Sequence, residues 1–231
     1  MSRTLLALSL VLLVPELTAA QSPSASDRLA RDILEELVEI NTTDSVGSTT
    51  DAAEAMAARL RAAGFPDADV QVLGPNPRKG NLVARYRGTG ARRPILLLAH
   101  LDVVEAKKED WSPDLDPFTF VERDGYFYGR GSSDDKAMAA IWIANLILMK
   151  QEGYRPDRDI VVALTADEEG GTANGVSWLL ANHRDLIDAD FCLNEGGGGQ
   201  IVNGRYVLNE VQASEKVYQS YRLEVTNPGG H

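Results

Sequence analysis

The sequence predicts an α/β fold in which a largely parallel, mixed sheet is covered by helices on both faces. Helical and strand-like periodicities alternate along most of the chain. The apolar runs at 94–99 and 160–164 are short and continuous, as in strands buried on both faces. The composition supplies a core: of 231 residues, 44% are hydrophobic and 25% charged, which describes a globular chain.

The elements follow in order. Residues 26–40 place Leu29, Ile33, Leu37 and Ile40 at helical spacing after a Ser or Asp cap. Residues 51–65 form an alanine-rich helix ended by Gly64. Strand-like runs occupy 69–73, 81–88 and 94–102. A long irregular segment leads to a strongly apolar helix at 136–153, stopped by Gly153. A strand at 158–166, a helix at 175–186 and a strand at 188–195 complete the pattern. There is no internal repeat or low-complexity tract.

Residues 1–20 stand apart from the fold. Arg3, the apolar run 5–14 and the small residues Thr18, Ala19 and Ala20 have the order of a secretory signal peptide, so export is expected. The run is half the roughly 20 residues needed to span a bilayer, so the mature chain is expected to carry no membrane span. Cys192 is the only cysteine, which excludes an internal disulfide, and it reads as a small buried apolar residue. A net charge of −11 argues against nucleic acid or an anionic membrane as partner and suits a site for cations.

Chemistry concentrates at the ends of strands. The stretch LTADEEGG closes an apolar strand with Asp167, Glu168 and Glu169 in succession, and like charges beside a low-dielectric core demand a compensating cation. His100 and Asp102 end another strand, Glu195 a third, and Asp134 and Asp135 precede the apolar helix. In an open α/β sheet such residues converge at the carboxyl edge. Carboxylates with one imidazole and no thiolate suit zinc, cobalt or manganese, whereas calcium would use oxygens alone. The balancing charge is therefore expected to be a divalent metal. The run GGGG at 196–199 is followed by no Gly-Lys-Ser/Thr and lacks the context of a phosphate loop.

AHLDVV, WSPDLDPF…DGYFYGRGSSDDK, LTADEEGG and NEGG, in that order and spacing, resemble the co-catalytic zinc peptidase family of glutamate carboxypeptidase, aminoacylase and succinyl-diaminopimelate desuccinylase. The resemblance covers about residues 28–231, with Ala137 where the family has glycine. After the signal peptide at 1–20, it implies a three-layer catalytic domain at 21–217 and, at 218–231, the first strand of an α+β lid and dimerisation domain, which the alternation in YRLEV suits. It further implies two Zn2+ ions per intact subunit, with Co2+ or Mn2+ as alternatives.

On this resemblance His100 is a terminal ligand of one metal and Asp102 the carboxylate orienting its imidazole. Asp134 bridges both ions, Glu195 completes the His100 metal, and Glu169 binds the second. Glu168 is the general base, and His231 the lid histidine that contacts substrate across a dimer. Asp135 reads as a helix cap, Asp167 as structural, and His183 as a histidine at a helix end. Two metals roughly 3.5–4 Å apart would share and activate a water, with Glu168 taking its proton and passing it to the departing amine. The family's further metal-binding histidine has no counterpart before residue 231, so the sequence reads as a fragment that holds one ion tightly. The implied substrate is a small peptide or an N-acyl amino acid, and the intact protein a homodimer. A non-catalytic metal- or peptide-binding module is the rival reading; Glu168 discriminates, since a mere metal holder does not need it.

Overall fold

The computed structural model describes residues 23–210 and 219–229; the leader at 1–20 and His231 lie outside them. Ser24 starts α1 (Ala25–Glu39) with a reciprocal capping box, its hydroxyl taking the Asp27 amide while the Asp27 carboxylate takes its own. Ser48 caps α2 (Thr49–Ala62) with its hydroxyl alone, which takes the Asp51 amide, and Gly64, at φ +88°, turns the chain out of it. Strands β1 (Val70–Leu73), β2 (Asn81–Tyr86) and β3 (Arg92–His100) follow. Then come a short hairpin of β4 (Val121–Arg123) and β5 (Tyr126–Tyr128), helix α3 (Lys136–Gln151) and strand β6 (Arg158–Thr165). The chain continues with α4 (Gly175–Asn182), α5 (Arg184–Ile187), β7 (Phe191–Leu193) and a hairpin of β8 (Gly198–Val202) and β9 (Arg205–Glu210).

The main sheet has the order β1-β2-β6-β3-β7, with β6, β3 and β7 mutually parallel and β2 antiparallel to β6. It is the mixed, largely parallel sheet the apolar runs predict. Alternation along β6 divides the core. Val162 and Leu164 join the cluster made with α1, α2 and α3, while Val161 and Ala163 pack with Leu179 of α4 and Ile187 of α5 on the other face. Ile33, Leu37, Met56, Leu60 and Ile143 are fully buried on the first face, and each such side chain contributes about 1.5–3 kcal/mol by leaving water.

Several expectations are corrected. The helix read at 175–186 breaks at His183, whose backbone (φ −144°, ψ 39°) is not helical. The strand at 188–195 contracts to three residues on the sheet's edge. Cys192 is exposed there, because no helix covers that margin among the described residues. The strand expected in YRLEV does not form: Tyr221, Leu223 and Val225 are exposed, and a strand needs a hydrogen-bonded partner, which alternation cannot supply. The hairpins β4–β5 and β8–β9 were not anticipated, although both turns carry a strong signal. Asp124-Gly125 and Asn203-Gly204 each adopt two successive positive φ values. No helix among the described residues is long and apolar enough to cross a membrane.

Candidate metal centre

Register places the acids. In the parallel pair β3–β6, His100 lies opposite Thr165, and the Leu101 amide donates to the Thr165 carbonyl at 2.7 Å. The turn after β6 therefore starts beside the imidazole. Strand β7 pairs with β3 so that Leu193 faces Leu97, and two further residues bring Glu195 level with Ala99. Helix α3 begins over the same edge and delivers Asp134 and Asp135.

Four strand and helix ends thus meet at one ring. His100 is 2% exposed, and its Nε2 lies 2.9 Å from Asp134 Oδ1, 3.5 Å from Glu195 Oε1 and 3.8 Å from Glu168 Oε2. Two sets of potential ligand atoms fall within 4.8 Å of one another: His100 with Asp134 and Glu169, and His100 with Asp135 and Glu195. The structure brings together all four residues read as metal ligands, with Asp134 grouped with Glu169 and Asp135 beside Glu195. An imidazole with carboxylate oxygens and no thiolate fits zinc, cobalt or manganese. A recess of about 400 Å³ opens next to the cluster, lined by Val104, Arg130, Ser132, Ser133, Asp134 and Glu169.

Asp102 holds the imidazole differently from the expectation. His100 Nδ1 is 3.0 Å from the Asp102 backbone carbonyl but 3.7 Å from its carboxylate. With the carbonyl as acceptor, Nδ1 carries a proton, which leaves Nε2, 2.9 Å from Asp134 Oδ1, as the ring nitrogen placed to face a metal. The carboxylate is occupied elsewhere, accepting the amides of Glu168 at 3.0 Å and Glu169 at 2.9 Å. It is the anchor of the turn bearing both glutamates.

Asp135 is also corrected. It occupies the residue before α3, but its side chain caps no helical amide and instead accepts the His100 amide at 3.3 Å. Burial pushes its carboxyl up to about 7. Asp167 is structural, as expected, yet the cation balancing it is Lys79, whose ammonium donates to its carboxylate in an almost dry pocket. Sequence reading missed Lys79 because it lies 88 residues upstream, in the loop before β2. It also passed over Lys136, which is fully buried, donates to the Ile40 carbonyl at 2.8 Å, and is pushed down to about 7 by burial.

The remaining electrostatics follow from crowding. Burial raises Glu169 and Glu195, and the neighbouring Asp134 charge raises both further. Burial also raises Asp102. For His100, burial disfavours the charged ring, but the Asp102 charge and carbonyl with the Glu195 and Asp135 charges outweigh it, so its pKa is raised. Crowded carboxylates around one imidazole favour added positive charge, whether a proton or a metal ion. His183 lies apart from the cluster, its ring 5.0 Å from that of Trp178.

Comparison with known proteins identifies the family and the fold. Residues 96–227 match the model of peptidase family M20/M25/M40. The chain is 36% identical over 146 residues to the human (Homo sapiens) N-fatty-acyl-amino acid synthase/hydrolase, covering 60% of this chain and 28% of that protein. It is 37% identical over 161 residues to succinyl-diaminopimelate desuccinylase of Delftia acidovorans, covering 66% of this chain and 41% of the relative. The fold resembles that of an M20 family metallo-carboxypeptidase from Sulfolobus solfataricus (TM-score 0.59, 17% identity, 73% of this chain and 37% of that one). It also resembles human carnosine dipeptidase 1 (TM-score 0.57, 19% identity, 74% and 41%). The chain therefore spans less than half the length of these relatives. With a family match over more than half its own residues and the acids of that match gathered at one sheet edge, the chain belongs to peptidase family M20/M25/M40.

Proposed function

We propose that the protein, in its intact form, is a metal-dependent hydrolase of an amide bond in a small peptide, with Glu168 as general base. The observation that carries this is the contrast between neighbours: both glutamates are exposed, but Glu169 belongs to a ligand cluster with His100 and Asp134, while Glu168 stands outside it at the rim, 3.8 Å from His100. Divalent ions held there would supply a bound water of lowered pKa and polarise the scissile carbonyl. The chain's own residues do the rest. Glu168 accepts a proton at one carboxylate oxygen and returns it to the departing nitrogen. Asp102 holds the amides of Glu168 and Glu169 together, so the base and the ligand keep a fixed offset. His100 keeps its proton on Nδ1 and so leaves Nε2 free to bind.

Hydrolysis of an N-acyl amino acid is the second reading, supported by the sequence relatives, whose names describe acyl-amide chemistry. Both reactions break the same bond and ask the same of Glu168. Export is part of the proposal and is supported by the leader-like order of residues 1–20. Glu168→Gln in the intact protein should lower hydrolysis of dipeptide and N-acyl-amino-acid substrates by about 10²–10⁴-fold. Zinc content after dialysis should stay at the wild-type level. Undiminished turnover in that variant would show that the base is misassigned.

A further inference from the structure

The turn bearing Glu168 and Glu169 is clamped from two sides, and only one clamp belongs to the cluster. On the cluster side the Asp102 carboxylate takes both glutamate amides. On the other side stands Asp167, whose φ of 54° is left-handed, a conformation open to aspartate and fixed here by the contacts of its side chain and carbonyl. Its carboxylate takes the Ala173 amide at 2.9 Å, and its carbonyl takes the Asn174 side chain at 2.9 Å. Gly171 packs so closely that a Cβ there would come within 2.2 Å of the same carboxylate.

What pairs with that carboxylate and orients it is Lys79. Its ammonium bridges Asp167 and Asp44, the latter at 2.6 Å, and the lysine and Asp167 side chains are 7% and 1% exposed. Lys79 is itself fixed, because the Gly80 amide donates to Thr50 Oγ1 at 2.7 Å and the Lys79 carbonyl lies against Gly74. An aspartate this dry without its cation would be expelled or reoriented. The next two residues along the chain are the two glutamates.

We infer that Lys79 is a positioning residue of the metal centre: by closing on Asp167 it fixes the left-handed turn that aims Glu168 and Glu169. This rests on the reading of Glu169 as a ligand and of Glu168 as the base. Lys79 touches neither glutamate and acts through Asp167 alone.

The test is titration of the full 231-residue chain with Co2+ alone, followed by visible absorption, with circular dichroism reporting the fold. Lys79→Met should keep its helix content yet bind Co2+ at least about tenfold more weakly with altered bands, the scale of losing a residue that orients a ligand. Lys79→Arg, which keeps the charge, should bind within about threefold of wild type. The double variant Lys79→Met/Asp167→Asn should recover to the same range. Asparagine tolerates the left-handed region, and its Oδ1 can still take the Ala173 amide without a buried charge. Glu169→Gln reports the underlying reading. If it binds Co2+ as wild type does, Glu169 is not a ligand and the inference falls with it. If Glu169→Gln is weakened while a folded Lys79→Met retains wild-type affinity and spectrum, the role given to Lys79 is wrong and the ligand reading stands. Should Lys79→Met not fold, the double variant decides. Folded but more than about tenfold weaker, it means that Lys79 does not act through Asp167 and overturns the inference.

Discussion

The turn at 166–171 and the segment at 191–196 each bring a glutamate to the same imidazole, by different means. The first hangs from the fully buried end of β6, with Ala166 held by the Asn81 side chain, Asp167 by Lys79, and the next two amides by Asp102. The second follows a three-residue edge strand whose side chains are all exposed, and the Glu195 carboxylate is bound to no backbone amide among the described residues. Asp134 resembles the second group, with a side chain 63% exposed. One half of the centre is thus set by the fold before any ion arrives. The other half has few contacts of its own, so a shared ion would do most to fix it.

Metal-free stability should expose this difference most strongly. Asp102→Ala leaves two amides without their acceptor, at about 1–3 kcal/mol for each buried donor. A loss of about 3 kcal/mol is expected in urea unfolding of the metal-free chain. Glu195→Ala, at a partly exposed position on the sheet's edge, should cost only about 0.5 kcal/mol. Equal losses in the two variants would mean that the turn is no better anchored than the edge.

Acidity separates the halves next. Asp135, against the His100 amide, has its carboxyl raised by burial from 3.8 to about 7. Its folded value lies above its unfolded one, so its contribution to stability is complete below pH 3.8 and is lost as pH rises through about 7. Lys136 runs the other way in a different window. Burial lowers it from 10.5 to about 7, so its contribution is present above pH 10.5 and fades as pH falls through about 7. Between pH 4 and 7, Asp135→Asn should therefore flatten the fall in metal-free stability that wild type shows. Zinc affinity should rise over the same range, since an ion needs the acids and imidazole deprotonated. Identical pH slopes for the variant and wild type would remove Asp135 from this account.

How much of this was legible in the sequence depended on distance along the chain. The apolar runs of β3 and β6 end where the chain must leave the sheet, so His100, Asp102, Glu168 and Glu169 could be placed at one edge from periodicity and topology alone. Which oxygen of Asp102 meets the imidazole could not be read, because backbone and side-chain torsions decide whether the carbonyl or the carboxylate reaches it. Lys79 was invisible for another reason. A lysine before a glycine in a polar loop looks solvated, and only the packing of that loop on Asp167 reveals the pair. YRLEV and Cys192 failed in the opposite sense, since both were judged by local pattern at places where the pattern had no neighbour to pack against.

The ion count is a finer probe of the same contrast. Among the described residues a single imidazole reaches the cluster, and both ligand sets use it. The chain should therefore retain about one zinc after dialysis, consistent with one site completed by nitrogen and further acids competing for it. Two ions held tightly through dialysis would mean that Asp134, Asp135, Glu169 and Glu195 suffice without a second imidazole.

The smallest effect concerns Cys192. Cys192 is exposed on β7 as a residue, and partial burial raises its thiol pKa, so it should react with a disulfide reagent in the native chain, slowly and without unfolding. Glu195 lies three residues on, past the end of the strand. If zinc draws Glu195 onto His100, the end of β7 loses freedom and labelling should slow by about twofold to fivefold, since exchange at an edge follows local opening. Glu195→Gln should abolish that protection without changing the metal-free rate. Protection that persists in this variant would place the tether on Asp135 alone, and the looser half of the centre would then be held by its helix rather than by its strand.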